Sequence, residues 1–229
     1  MIRLNTIIRY IVIAVILTAF PSIYAGCASS KAKKDIYDRT PADLLADGQA
    51  KLDAAEFKSA TKLLQAIKDR YPYSKEAIIA ELKLADSLFQ REEYDSALDN
   101  YAEFERLHPK DKKTPYVIYQ QGMCHFLQIR TLDREQKYIS EAKDEFEKLV
   151  KKFPNDTYAD KAREKIRQCI SDMSEYELYV GHFYYKMNKY QSAMDRFKYI
   201  IENYPDTGQY HEALEYIEKC KKKLAQAEK

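Results

Sequence analysis

Small and large apolar residues alternate in a recurring order along most of this chain. Between Ser74 and Pro109 they fall at helical spacing, and the polar residues 90–93 divide the stretch in two. This order predicts a helix, a turn and a second helix. Two short helices that pack on each other leave one apolar flank uncovered, so we expect further copies of the pair to cover it.

The same order returns at fixed offsets. Counted from Ala85, an aromatic residue follows at 9 positions, a small residue at 12, a second aromatic at 16 and a proline at 24. Similar residues lie at these offsets from Gly48 and Gly181, and a copy that begins at Gly122 closes after about eight inserted residues. The order resembles the tetratricopeptide repeat, in which helical pairs of about 34 residues stack on one another. The resemblance implies an all-α solenoid of about five helical pairs.

The pattern also predicts where each helix begins and ends. We expect nine helices, at residues 41–54, 57–70, 75–90, 94–107, 115–129, 135–152, 157–187, 190–203 and 208–226. Nothing between Ile166 and Glu177 interrupts the seventh, so the sequence leaves open one long helix or two helices kinked at residues 171–174. We expect the chain to divide into a signal peptide at 1–26, a lipidated N-terminus with a flexible tether at 27–40, and tetratricopeptide-like repeats at 41–156 and 157–229.

The first residues have the character of an export signal. Residues 1–20 carry Arg3 and Arg9 but no acid, and the apolar run at 10–20 is shorter than the ~20 residues that a membrane-spanning helix needs. We therefore predict a cleaved signal peptide, with an uncleaved anchor as the alternative.

A lipidation motif follows this signal. Residues 23–27 end in two small residues and Cys27, which resembles the lipobox of bacterial lipoproteins, although Tyr24 lies where Leu or Val is usual. The resemblance implies that the Cys27 thiol is acylated and that Cys27 becomes the N-terminus after cleavage. Ala28, where an Asp would imply retention in the inner membrane, implies transfer to the outer membrane. Several acyl chains hold a protein stably at a membrane.

Charge and motifs argue against two classes of function. Removing Arg3 and Arg9 with the signal leaves 36 basic residues against 36 acidic ones, whereas a nucleic-acid partner requires a basic excess. The four histidines lie in different predicted helices or turns, and neither a phosphate-binding glycine loop nor a nucleophile elbow occurs. We expect no catalytic residue, no metal and no cofactor.

Three cysteines remain after Cys27. Cys169 and Cys220 each lie on an apolar helical face, so we interpret them as small core residues; Cys124 is the third. A disulfide between Cys169 and Cys220 is the alternative interpretation.

Binding has more support in the sequence than catalysis. In a stack of helical pairs, the first helix of each pair lines the concave face, at fixed offsets from its small residue. In the second and third pairs these offsets select Ile79, Leu82, Asp86, Phe89, Gln90, Tyr116, Tyr119, Met123, Phe126 and Leu127. Such an aromatic groove with a polar edge suits an extended peptide with aromatic side chains. The alternative is that part of this set packs against a neighbouring helix.

Longer stretches carry a more specific resemblance. Two stretches carry it, TLDREQKYISEAKDEFEKLVKKFPNDTYADKA and MSEYELYVGHFYYKMNKYQSAMDRFKYIIENYPDTGQYHEAL. Together with the lipobox, they resemble the BamD family, lipoprotein subunits of the machinery that inserts β-barrels into the bacterial outer membrane. The most specific parts are residues 132–136 in the insertion and the Tyr-rich segment before Lys189. The sequence departs from the family at Tyr24 and at Glu135, where Asp is usual.

This resemblance implies a scaffold without catalytic activity. In that family the N-terminal repeats are associated with the C-terminal signal of unfolded outer membrane β-barrel proteins, and the C-terminal repeats hold the periplasmic domains of the barrel subunit, BamA. By position, Arg196 matches a basic residue at that subunit contact, and a solvated surface arginine is the alternative. Implied partners are thus BamA, unfolded barrel proteins, other assembly lipoproteins and the outer membrane through the lipid anchor, but no nucleic acid.

Two other classes of function stay open from the sequence. One is another lipid-anchored repeat adaptor in cell-envelope assembly or polysaccharide export, which is expected to lack the LDREQ insertion. The other is a periplasmic enzyme with a site assembled only by folding, for which buried ionisable groups in a deep pocket would be the sign.

The lipoprotein interpretation predicts the effect of one substitution. Cys27→Ser removes the thiol that would be acylated, so the product should lose membrane attachment or keep its signal peptide. Membrane fractionation, with Cys124→Ser as the control, measures this. A Cys27→Ser variant that still fractionates with the outer membrane would contradict the interpretation.

Overall fold

The computed structural model describes residues 36–129 and 136–227. The predicted signal peptide, Cys27 and residues 132–135 of the insertion motif lie outside the described residues. The chain divides into two compact units, Met1–Arg39 and Thr40–Lys229. In the first unit the described residues form a short 3-10 helix at Ile36–Asp38.

The second unit is built from nine α-helices within the described ranges, with no strand among them. They are α1 Pro41–Asp53, α2 Phe57–Arg70, α3 Lys75–Gln90, α4 Tyr94–Leu107, α5 Thr114–Phe126, α6 Gln136–Lys152, α7 Thr157–Lys186, α8 Tyr190–Asn203 and α9 Tyr210–Ala227. Each helix packs on the next in the chain, and α1 also contacts α3, as α5 contacts α7. The fold is therefore the predicted all-α tetratricopeptide-type solenoid. None of these described helices is long and apolar enough to cross a membrane.

The predicted helices are confirmed, with bounds that differ by at most three residues. Side chains at the helix starts explain part of this agreement, since Thr40, Ser74 and Asp156 each accept a hydrogen bond from a backbone N–H in the first turn of the next helix. The open question about the seventh helix is answered, because α7 runs without interruption through residues 171–174.

The repeat register depends on close contacts between a small residue and a large one. A Cβ placed on Gly122 would lie 2.5 Å from the ring of Phe146, and one on Gly181 would lie 2.5 Å from the ring of Phe197. The space that a larger side chain would fill on α5 or α7 is therefore occupied by a ring from the following helix. These contacts join the residues that the sequence offsets pair, so the predicted register is confirmed.

The turns inside the pairs share a strained position that the sequence analysis missed. Ala55, Glu92 and Asn188 have φ angles of 55°, 60° and 60°, in the left-handed region that non-glycine residues rarely adopt. Each lies seven residues after the small residue of its pair. The strain is kept because the packing of both helices determines the same turn in these three pairs.

The long helix α7 joins two apolar clusters. One cluster contains Phe146 and Cys169 and is built from α5, α6 and α7. The other contains Phe197 and Cys220 and is built from α8 and α9, with side chains of α7 packed against it. Cys169 and Cys220 are buried free thiols, as is Cys124, so the core interpretation is confirmed and the disulfide alternative was wrong. Burial raises the pKa of both the Cys124 and the Cys169 thiols to about 12.

The contact at Gly181 predicts a stability effect. Gly181→Ala should lower stability by ~1–3 kcal/mol, because the added methyl group overlaps the fully buried Phe197 ring. The matched control is Gly208→Ala, where no atom lies within 4 Å of the new Cβ. Thermal unfolding measures both, and equal melting midpoints for the two variants would contradict this packing.

Candidate functional site

A pocket of about 500 Å³ opens between α3, α5 and the start of α7. Its apolar wall comes from α3, and its aromatic wall comes from three different helices. The lining residues are Ile78, Ile79, Leu82, Lys83, Asp86, Phe104, Asp111, Lys112, Lys113, Tyr116 and Tyr158. Four of the predicted groove residues, Ile79, Leu82, Asp86 and Tyr116, are thus brought together. Ile78 and Ile79 are 41% and 46% exposed, so apolar surface is available to a ligand there.

Asp86 is the polar centre of the pocket. Its Oδ1 atom accepts hydrogen bonds from the hydroxyl of Tyr101 at 2.7 Å and from the hydroxyl of Tyr116 at 2.6 Å. Burial raises the pKa of Asp86, while the two tyrosine hydrogen bonds act in the opposite direction. Burial and the nearby Asp86 carboxyl also raise the pKa of both tyrosines, so their hydroxyls stay protonated as donors.

This hydrogen-bonded cluster connects three helices. Asp86 lies on α3, Tyr101 on α4 and Tyr116 on α5, and the two tyrosine rings meet edge to face with centroids 6.5 Å apart. Gln120 Nε2 donates to the Tyr116 hydroxyl at 3.1 Å. The Tyr116 ring is therefore held in one orientation at the pocket wall, which removes much of the entropy cost of ordering it when a ligand binds.

Tyr158 is a pocket residue that the sequence analysis missed. It lies in the first turn of α7, and its ring centroid is 5.4 Å from that of Tyr116 and 5.5 Å from that of Tyr119. The offsets used in the sequence analysis describe one helical pair at a time, so they could not select a residue of a later helix. An aromatic residue two positions after the helix-capping Asp156 was the only signal available.

The other predicted groove residues of α5 pack mainly on the core. The ring centroids of Tyr119 and Phe126 lie 5.6 Å and 6.5 Å from that of Phe146, and Met123 packs on the same cluster. The Lys165 ammonium lies 4.1 Å from the centroid of the Phe126 ring. These residues are half-buried and do not line the pocket.

Two predicted groove residues lie at the end of α3. Phe89 is half-buried, and its ring meets that of Tyr94 edge to face at 5.5 Å. Gln90 is exposed at the last position of the helix. Neither lines the pocket.

The pocket has a basic edge. Lys83, Lys112 and Lys113 line it together with a single acidic residue at the edge, Asp111, whose Oδ1 accepts a hydrogen bond from the Lys113 backbone N–H at 2.7 Å. An excess of positive charge beside an apolar wall favours a ligand that is apolar in one part and anionic in another.

Arg196 lies on α8, outside this pocket. Its Nη1 atom is 3.0 Å from Oε2 and 3.4 Å from Oε1 of Glu177 on α7, and this hydrogen bonding raises the pKa of Arg196. The guanidinium also lines a surface depression of about 410 Å³ with Tyr184, Ser192, Asp195 and Tyr199. Within the described ranges, no group of His, Cys, Asp or Glu side chains could hold a metal ion.

Stacked helical pairs define a tetratricopeptide-type repeat protein. Residues 37–229 match the model of the YfiO family, described as outer membrane lipoprotein, and the chain belongs to this family.

Individual relatives agree with this assignment. The chain is 31% identical to outer membrane protein assembly factor BamD of Rickettsia prowazekii, over 84% of this chain and 76% of that protein. It is 30% identical to the BamD of Neisseria gonorrhoeae, over 79% of this chain and 72% of that protein. The resemblance to the BamD family is therefore confirmed. Among solved structures, it is similar to a thermophilic TPR protein of Thermus thermophilus, with 17% identity, a TM-score of 0.42, and coverage of 81% of this chain and 100% of that one.

Proposed function

We propose that this protein is a scaffold without catalytic activity for outer membrane protein assembly, anchored by lipid at Cys27 on the periplasmic face of the outer membrane. The names of its relatives support the process, and the pocket between α3, α5 and α7 is the observation that supports a binding role. The proposed ligand is the C-terminal segment of an unfolded β-barrel protein.

The chemistry of the pocket fits an extended peptide that ends in an aromatic residue. Leu82, Tyr116 and Tyr158 offer a mostly apolar wall for a ring, and three lysines at the edge offer positive charge for the terminal carboxylate. A volume of about 500 Å³ accommodates one or two side chains and not a folded domain. Main-chain and carboxylate contacts would then supply affinity, while the ring supplies selectivity.

Asp86 supports binding indirectly in this proposal. Its hydrogen bonds to Tyr101 and Tyr116 hold the aromatic wall in place before a peptide arrives. Pre-organised aromatic side chains lose little conformational entropy when a ligand binds, so more of the contact energy appears as affinity.

Arg196 is the proposed contact for the periplasmic domains of BamA, the barrel subunit. The mostly buried Glu177 orients the guanidinium, whose other face is exposed beside Tyr184 and Tyr199. A partner carboxylate could therefore bind there without breaking the internal pair, which makes a three-residue charge network. Other assembly lipoproteins are proposed as further partners of the complex.

The peptide proposal predicts a separation among the groove residues. Leu82→Ala and Tyr158→Ala should each weaken binding of a peptide copied from the C-terminal strand of an outer membrane barrel by about tenfold or more, because each removes an apolar contact in the pocket. Gln90→Ala is the matched control and should bind normally, since Gln90 does not line the pocket. Fluorescence anisotropy on the full chain measures these affinities.

The same assay tests the lysine edge, and thermal unfolding tests the core residue Phe126. A peptide with a C-terminal amide should bind less tightly than the free acid, because the lysines lose their anionic partner. Phe126→Ala should lower the melting midpoint, since Phe126 packs on Phe146. Equal binding of acid and amide, together with normal binding by Leu82→Ala, would refute this assignment of the pocket.

The subunit proposal predicts a different result for Arg196. Arg196→Glu should weaken capture of the purified periplasmic domains of BamA by at least tenfold, because it places a second carboxylate beside Glu177 and removes the cation offered to the partner. Glu177→Gln, which keeps the arginine, should retain most of the capture. Pull-down titrations compare the variants, and peptide binding by Arg196→Glu should be unchanged. Lost peptide binding with normal subunit capture would contradict the division between the two surfaces.

A further inference from the structure

Helix α7 is much longer than α5, one of the helices that it contacts. With 30 residues it extends ~45 Å, whereas α5, with 13 residues, extends ~20 Å and ends at Phe126. One face of the first half of α7 packs on α5, because Tyr158 meets the Tyr119 ring and Lys165 lies over the Phe126 ring. The second half of the same face extends beyond the end of α5.

That face continues as an apolar strip. Steps of seven, four or three residues from Lys165 keep to one side of the helix. They lead first to Asp172 and then to four apolar or aromatic residues, Tyr176, Tyr179, Phe183 and Met187. We call these four residues the outer strip. The side chains of Tyr179, Phe183 and Met187 are 54%, 52% and 51% exposed, although they lie next to one another.

The neighbouring helices of the solenoid contact other faces of α7. Phe197 of α8 packs on Gly181, two residues from both Tyr179 and Phe183 and hence on the opposite side of the helix. Tyr216 of α9 packs on His182, with ring centroids 4.3 Å apart. Glu177, the partner of Arg196, also lies away from the outer strip. The strip is therefore separate from the pocket, and it borders the Arg196 surface, because the Phe183 ring meets the Tyr184 ring with centroids 5.8 Å apart.

Charges of opposite sign lie at the two ends of the outer strip. Asp172 and Glu175 lie at the N-terminal end, and burial together with the nearby Glu175 carboxylate raises the pKa of Asp172, against the effect of Lys165. Lys186 and Lys189 are exposed at the C-terminal end. Within the described ranges, neither Glu175 nor Lys186 has an ion-pair partner. Glu175 is therefore available to a basic residue of another protein, and Lys186 to an acidic one.

We propose that the outer strip binds an amphipathic helix of another protein, with basic residues beside Asp172 and Glu175 and acidic residues beside Lys186. A helix is favoured because the same face already packs a helix, α5, in its first half. The distance from Asp172 to Met187 corresponds to ~23 Å of helix, which matches a partner helix of about four turns.

The exposed area favours a partner segment over a second copy of this chain. Three aromatic or long apolar side chains, each half exposed, offer ~300 Å². Stable dimers bury ~800 Å² on each subunit, so pairing of two strips alone would be weak. A helix needs less area if it belongs to a protein that is already bound at another surface of this chain. Its contact with the outer strip then forms at high effective concentration.

A synthetic peptide tests the proposal on the full-length chain. The probe is a fluorescein-labelled helical peptide of four to five turns, with leucines on one face, lysines at one end of that face and glutamates at the other. A control peptide has the same composition with the leucines dispersed around the helix. Anisotropy titrations should give measurable affinity for the probe and at least tenfold weaker affinity for the control.

Variants of the chain locate the binding. Phe183→Ser and Tyr179→Ser should each weaken probe binding at least tenfold, whereas Tyr73→Ser, at a fully exposed tyrosine in the turn after α2, should change it less than twofold. Glu175→Lys should weaken the probe and restore binding to a peptide whose lysines are replaced by glutamates. Circular dichroism of each variant separates lost binding from lost folding, and exposed positions should leave the spectrum unchanged.

Three outcomes would overturn the proposal. Equal affinity for probe and control would mean that no oriented helix binds. Unchanged binding by both serine variants, with folding intact, would place the peptide elsewhere on the chain. A dimer in sedimentation equilibrium that Phe183→Ser dissociates would assign the outer strip to a second copy of this chain.

Discussion

The close approach of two helices at a small residue is the contact on which the rest of this structure depends. Gly122 and Gly181 leave space that the rings of Phe146 and Phe197 fill, and these rings are completely buried. Because interiors tolerate neither voids nor overlap, such a contact sets the separation and the rotation of both helices in a pair. Where a short turn joins the two helices, the left-handed residue lies at the same position of that turn, at Ala55, Glu92 or Asn188.

Regular pairs bring polar groups into defined positions between helices. Asp86 lies one residue after the small residue Ala85, so its carboxyl group reaches the Tyr101 hydroxyl within the pair and the Tyr116 hydroxyl of the next pair. A buried carboxyl group with two donors is stable only where all three groups stay in place. The cluster therefore connects successive pairs and at the same time orients a ring of the candidate peptide pocket.

Helix α7 is where the chain departs from regular repetition. It continues through residues 171–174 and so carries side chains into both apolar clusters. Its length places Tyr158 in the pocket at one end and Glu177 beside Arg196 further along. The helix also extends past the length of α5, and Tyr179 and Phe183 in this second half are about half exposed.

The sequence by itself determined the helices, their limits and the register within each pair, because these depend on residues no more than about 24 positions apart and on local caps such as Ser74 and Asp156. It also placed Leu82, Asp86 and Tyr116 correctly on a shared surface. Only the tertiary structure decided that Tyr158 completes the pocket and that Phe126 turns toward Phe146. Those positions depend on how one pair rotates against the next, and that rotation results from side-chain packing between helices far apart in the chain, which spacing within a single pair does not contain.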